Sequence, residues 1–281
     1  WPYSTLNLAD MRQLQQQHSQ TRLADTAADG LRHFTAQQRL MPLQLQAIFV
    51  TGQRQLMLQR VGIYTDPHGG KLKRIFQYRV PHQNMTKLNL PGQCIDGECY
   101  DEVLFHGLEE YINNLKGDGV IVLHTIGSHG PTYYNRYPAQ FKKFTPTCDT
   151  NEIQTCSQQQ LVNTYDNTIL YVDYIVDKAI NILKEHQDNF TTSLVYLSDH
   201  GESLGENGVY LHGLPYSIAP DTQKHVPMLL WLSEDYQQRY QVSQTCLQKR
   251  ASSEDFSQDN LFSTLLGLTG VQTQKYQAAD D

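Results

Sequence analysis

The sequence predicts an α/β fold with a central, mostly parallel sheet flanked by helices. Three observations predict it. Short continuous apolar runs such as "GVIVLHT", "TSLVYLS" and "VPMLLWLS" read as strands buried on both faces. Stretches with helical spacing alternate with them. Polar, metal-capable residues come directly after two of the strands, where open α/β sheets keep their sites.

Each element has its own reason. "DEVLFHGLEEYINNLKG" places Val103, Leu104, Leu108, Tyr111, Ile112 and Leu115 at helical spacing, with Gly117 as a stop. The run "GVIVLHT" comes next as a strand. A long helix is predicted from about Ser157, where Ser157 and Gln160 form a capping box. Its apolar side runs through Leu161, Tyr165, Tyr171, Ile175, Val176, Ala179, Ile182 and Leu183. "TSLVYLS" and "VPMLLWLS" are two more strands, and "DNLFSTLLGLTG" is a short helix ending at glycines. Earlier in the chain, "LQAIFVTG" reads as a strand that turns at Gly52.

Composition sets limits. The chain has 281 residues, enough for one large domain or two small ones. A net charge of -7 argues against nucleic acid or an anionic membrane face as a general partner. No apolar run is long enough to cross a bilayer. The chain opens at Trp1 with no signal peptide, as if cut from something longer, so a membrane anchor upstream is expected. The character of the sequence changes near Tyr78. Residues 1–78 are basic and rich in Gln, and the first Glu in the chain is Glu98. That segment reads as helical or partly disordered, or else as a stretch foreign to the rest of the chain. Residues 79–281 read as the ordered α/β unit.

The cysteines divide into two close pairs and one single. Cys94 and Cys99 bracket "IDGE", and Cys148 and Cys156 bracket "DTNEIQT". Such pairs suit local disulfides in an oxidising compartment. A four-thiolate zinc site is the weaker alternative, because neither pair has the C-x2-C spacing. Cys246 is left over, and a partner beyond Asp281 is expected for it.

The candidate site lies after the strands. "SLVYL" runs into "SDHGESLGENGVYLHG", and "VIVLHT" into "IGSHGP". Asp199 and His200 are adjacent, so both face one ion only if the strand ends near Ser198 and the backbone turns; Gly201 permits that. A carboxylate and an imidazole suit zinc or manganese. The bland reading of an isolated Asp-His-Gly is a strand-end turn. His129 after another strand and His212 after a short loop favour metal binding instead. His124 is expected to pack in or beside the sheet, and His82 and His106 lack comparable company. Glu202 reads as a hydrogen-bond partner for a ligating His, or as an exposed loop carboxylate. No Walker loop, GxGxxG or G-x-S-x-G motif is present.

"VLHTIGSHGPTYYNRYP", "FTPTCDTNEIQTC", "NTYDNTILYVDYIVDKAI" and "LVYLSDHGESLGENGVYLHG" closely resemble the lipid A phosphoethanolamine transferases. The resemblance runs from Arg79 to Asp281. It implies an alkaline phosphatase/sulfatase-like sandwich, held in the bacterial periplasm by an N-terminal inner-membrane region. It implies transfer of phosphoethanolamine from phosphatidylethanolamine to lipid A phosphates, which lowers the negative charge that polymyxin exploits. It also implies Zn2+ on Asp199 and His200, substrate phosphate or a second metal at His129 and His212, and disulfides Cys94–Cys99 and Cys148–Cys156. Two family parts lack a counterpart. The Gly-Glu-Thr motif that supplies a zinc glutamate is absent, with Gln53 where the Glu is expected. The Thr nucleophile segment is also absent, so no catalytic nucleophile is assigned. The rival expectation is therefore an inactive metal- or lipid-binding remnant. A general phosphodiesterase or sulfatase of the same superfamily ranks below both.

Overall fold

The computed structural model describes residues 83–95, 97–253, 255–278 and 281, and the backbone of residues 31–35, 47–52, 60–65 and 82. The Gln-rich stretch "MRQLQQQHSQTR" and Gln53 lie outside the described residues. The strands are β1 (Leu31–Thr35), β2 (Ala47–Gly52), β3 (Arg60–Thr65), β4 (His82–Asn84), β5 (Cys94–Ile95), β6 (Glu98–Cys99), β7 (Gly119–Leu123), β8 (Thr191–Leu197), β9 (Ser203–Leu204), β10 (Tyr210–Leu211) and β11 (His225–Leu232). The helices are α1 (Leu108–Asn113), α2 (Gln158–Glu185), α3 (Asp221–Lys224), α4 (Glu234–Tyr240), α5 (Gln244–Ser253) and α6 (Asn260–Thr269).

The main sheet has seven strands in the order β1-β11-β8-β2-β7-β3-β4. Strands β7 and β8 each pair antiparallel with β2 and therefore point the same way. β3 and β4 share that direction, since β3 pairs parallel with β7 and with β4. β1 shares it too, because both β1 and β8 run against β11. The common direction is as expected, but β2 and β11 run against it from inside the sheet. Every ladder from β1 across to β7 is consequently antiparallel. The "LQAIFVTG" strand is β2 itself, wedged between the two strands that lead into the candidate site.

Helices cover both faces, as the continuous apolar strands require. Ile121, Leu123 and Leu194 point to one face and pack with Ala179, Ile182 and Leu183 of α2. Val122, Val195 and Leu197 point to the other and pack with Leu261, Leu265 and Leu268 of α6. Helix α2 begins as its sequence predicts. The Ser157 side chain accepts from the Gln160 backbone N–H, and the Gln160 side chain returns the bond to the N-cap. At 28 residues it is about 42 Å long.

The predicted helix over Asp101–Gly117 is shorter than expected. Asp101–Phe105 forms a 3-10 turn, and α1 starts only at Leu108. Between them Gly107 takes φ 74°, a left-handed conformation that ends one helical segment and redirects the chain. The disulfides Cys94–Cys99 and Cys148–Cys156 are both formed, and Cys246 is an exposed thiol. The first closes the β5–β6 hairpin, and the second ties down the loop before α2.

Candidate active site

The first part of the site is the loop after β7. Its backbone turns at Gly127, whose φ is 54°. The buried Asp101 carboxylate accepts from the Ile126 N–H at 2.7 Å and the Gly127 N–H at 2.9 Å. Thr168 of α2 donates to the Ser128 hydroxyl at 2.7 Å. Beyond the turn, the Arg136 guanidinium donates through Nε to the His129 carbonyl at 2.8 Å. The His129 ring thus projects from a loop held at several points. The His129 Nδ1 lies 2.7 Å from the Gly130 carbonyl.

The second part is the turn after β8. The strand ends at Leu197, and Ser198 Oγ donates to the His200 carbonyl at 2.8 Å. Gln258 donates to the Ser198 and Asp199 carbonyls at 3.2 and 2.7 Å. Gly201 is required by contact: a Cβ there would sit 2.0 Å from the Thr222 carbonyl oxygen. This turn lets Asp199 and His200 share one side, with Asp199 Oδ2 3.8 Å from His200 Nε2. Asp199 Oδ2 is buried and has no hydrogen-bond partner among the described residues. A buried carboxylate oxygen left in this state is costly unless a cation or donor meets it.

The third part is His212, just past the β9–β10 hairpin. Leu211 before it holds φ 62°, a conformation that non-glycine residues rarely adopt. His212 Nδ1 lies 2.9 Å from Glu202 Oε1. Glu202 is 3% exposed and also accepts from the Tyr133 hydroxyl at 2.9 Å and the Gly130 N–H at 3.4 Å. Its role as an exposed loop carboxylate is therefore excluded; it bridges the His129 loop to His212.

The three histidines share one neighbourhood. One ligand atom from each of His129, His200 and His212 lies within 4.8 Å of the others. The His200 and His212 rings stack with centroids 3.7 Å apart, and His129 meets His212 edge-on at 5.0 Å. In each ring Nδ1 faces an oxygen that can only accept: the Gly130 carbonyl, the Gly201 carbonyl at 3.0 Å, and Glu202. Each Nδ1 must then carry the proton, so that Nε2 is the nitrogen through which a neutral ring would meet a cation. A phosphate can be met instead by a charged ring donating from Nε2.

The electrostatics separate two of the rings. Its hydrogen bond to Glu202 raises the His212 pKa above the ordinary imidazole value, against burial. Burial, then the nearby His212 charge, lowers that of His129. Burial alone would raise the Glu202 carboxyl, but its bonds to His212, Tyr133 and Gly130 hold it below the ordinary value.

The structure brings Asp199, His200, His129 and His212 together and places Glu202 behind them. His124 is buried just after β7, and His106 is exposed and is not one of the clustered ligand residues. Sequence reasoning passed over Asp101, Arg136, Tyr133 and Gln258. Tyr133 and Arg136 sit in "GSHGPTYYNRYP", so the motif carried them without marking their roles. Asp101 and Gln258 act across long sequence separations and leave no local signal.

The sulfatase family model matches residues 37–271, most of the chain. The chain belongs to the sulfatase family. This sulfatase-family chain is 82% identical over 228 residues to phosphoethanolamine transferase EptA of Salmonella typhimurium, a match covering 80% of the chain and 41% of the relative. It thus spans about two fifths of the length of that curated relative. The soluble domain of lipooligosaccharide phosphoethanolamine transferase A from Neisseria meningitidis superposes with a TM-score of 0.75 at 46% identity, covering 80% of this chain and 66% of that one. The C-terminal periplasmic domain of phosphoethanolamine transferase EptC from Campylobacter jejuni gives a TM-score of 0.67 at 44% identity, covering 79% and 66%. The alkaline phosphatase/sulfatase-like fold expected from the sequence is the one found.

Proposed function

We propose that residues 79–281 are most of the periplasmic catalytic domain of a zinc-dependent phosphoethanolamine transferase. The donor is phosphatidylethanolamine and the acceptor is a lipid A phosphate, the modification that blunts polymyxin. In this reading, residues upstream of the chain anchor the domain to the inner membrane. Its support is the high identity to a phosphoethanolamine transferase together with one geometric observation. Three imidazoles, each with Nδ1 turned to an accepting oxygen, gather beside one buried carboxylate oxygen, that of Asp199, in the loops after β7, β8 and β10.

The donor set suits zinc. Asp199 and His200 would hold it, because Asp199 Oδ2 has no other described partner and zinc ordinarily takes imidazole nitrogen together with carboxylate oxygen. When bound, the ion neutralises phosphoryl charge and acidifies a coordinated hydroxyl. The chain's own residues do the rest. His212, backed by Glu202, and His129, fixed by the Gly130 carbonyl, orient the anionic head group or support a second metal. Glu202 sets which nitrogen of His212 faces the substrate.

A second reading, an inactive metal- or lipid-binding remnant, is favoured by one specific observation. No glutamate precedes Glu98, and no segment matches the family's nucleophile motif. Catalytic zinc sites ordinarily have about three protein ligands and an open position. We therefore expect weak zinc binding and little or no turnover. Zinc stoichiometry, with transfer of labelled head group from phosphatidylethanolamine to lipid A, decides between the readings. Zinc binding should disappear in an Asp199→Ala/His200→Ala double variant. Zinc retained by that variant sinks the site assignment, and robust transfer shows that a nucleophile exists in this chain.

A further inference from the structure

We propose that Asp101 and Arg136 are a pair of positioning residues that grip the His129 loop from opposite ends, with Glu98 setting the direction of Arg136. The inference rests on the reading of His129 as a substrate-facing residue. Asp101 is 1% exposed and Arg136 is 4% exposed, so both charges are withdrawn from water. Buried charges are retained only where partners satisfy them, and here the partners are the loop backbone. The Asp101 carboxylate takes the N–H groups of Ile126 and Gly127, where the loop leaves β7. The Arg136 Nε gives its proton to the His129 carbonyl, where the ring is carried.

The remaining donors of Arg136 are not idle. One terminal nitrogen donates to Thr132 Oγ1 at 2.7 Å, and the other to Glu98 Oε2 at 2.9 Å. Glu98 lies in β6, opposite Ile95, in the hairpin closed by Cys94–Cys99. The guanidinium fork is planar, so fixing both terminal nitrogens also fixes Nε, and with it the His129 carbonyl. A lysine offers a single ammonium point and cannot reproduce that geometry. Residue 98, far from the histidines in sequence, thus bears on where the His129 ring sits. Neither Asp101 nor Arg136 needs to touch substrate for this.

The test uses the full chain with four variants: Glu98→Ala, Glu98→Gln, Arg136→Lys and Asp101→Asn. Hydrogen exchange of residues 126–130 is read in metal-free protein, and inorganic phosphate serves as the binding probe. Glu98 is partly exposed, with 41% of its side chain accessible, so its variants should keep the parent's unfolding midpoint. Glu98→Ala should speed exchange in 126–130 and weaken phosphate binding about tenfold. Glu98→Gln, which keeps an acceptor oxygen, should restore most of both; a merely electrostatic or structural role would not separate Gln from Ala. Arg136→Lys and Asp101→Asn should speed exchange in the same segment more than in β8. Unchanged exchange in 126–130 for Glu98→Ala and Arg136→Lys overturns the inference. A His129→Ala variant that binds phosphate like the parent overturns the functional reading instead and leaves the exchange result to stand by itself.

Discussion

At Gly201 a single hydrogen atom decides whether the Asp199–His200 turn can form. A methyl group would stand 2.0 Å from the Thr222 carbonyl oxygen, a backbone atom that cannot swing aside. Gly201→Ala is expected to destabilise the fold by about 3 kcal/mol and to reduce zinc binding, read by denaturant unfolding and chelator competition. Asp101 makes a pH-dependent prediction. Burial raises its carboxyl from the ordinary 3.8 to about 6, although the Ile126 and Gly127 N–H groups and Arg136 oppose the rise. The folded state therefore binds the proton more tightly than the unfolded state between those values. The stability tied to the protonated form is complete below pH 3.8 and is lost as pH climbs to about 6. The gap corresponds to about 3 kcal/mol. Unfolding measured from about pH 4 to 7 should show this decline in the parent, and Asp101→Asn should flatten it. An equal slope in both proteins would refute the assignment.

At the scale of elements, α2 carries the bulk of one sheet face, and its start is local chemistry. Ser157→Ala removes the side chain that accepts from Gln160 and should cost about 1 kcal/mol. Leu183→Ala removes a side chain with 0% exposure and should cost about 2–5 kcal/mol. Both are read from the denaturation midpoint. These elements were legible in the sequence for a reason that the others lack. The cap of α2 spans three residues, and its apolar stripe repeats every turn, so neighbours in sequence are neighbours in space. The runs of β7, β8 and β11 were equally plain, since burial on both faces leaves no charged residue to interrupt them. The break at Gly107 was hidden because helical spacing continues through it; only the positive φ reveals that the chain changes direction. The direction of β2 was invisible too. A strand looks the same read either way, and its neighbours, β7 and β8, lie far along the chain.

Across the whole molecule, the candidate site is an agreement between distant segments. The Asp-His pair and His129 were marked in the sequence by their position after strands and before glycines. Glu202 could be suspected but not placed, and Asp101 could not be suspected, since its partners are 25 and 26 residues away. Net charge and composition argued against some classes of partner without indicating a site. The expectation at this scale concerns metal. Added zinc should raise the parent's unfolding midpoint and leave that of Asp199→Ala/His200→Ala unchanged, as read by calorimetry with and without chelator.

The interposed β2 has a consequence for anyone dividing this chain. The motifs that first mark the family resemblance start at Arg79, which invites a cut there, although the sulfatase family match already begins at residue 37. Such a cut would take away the rung that joins β7 to β8 and strip hydrogen-bonding edges from both. The trimmed protein, residues 79–281, should aggregate or open between those strands when compared with the full chain by size-exclusion chromatography. A strand that lies outside those motifs would then be the one on which the spacing of the two halves of the histidine pocket depends.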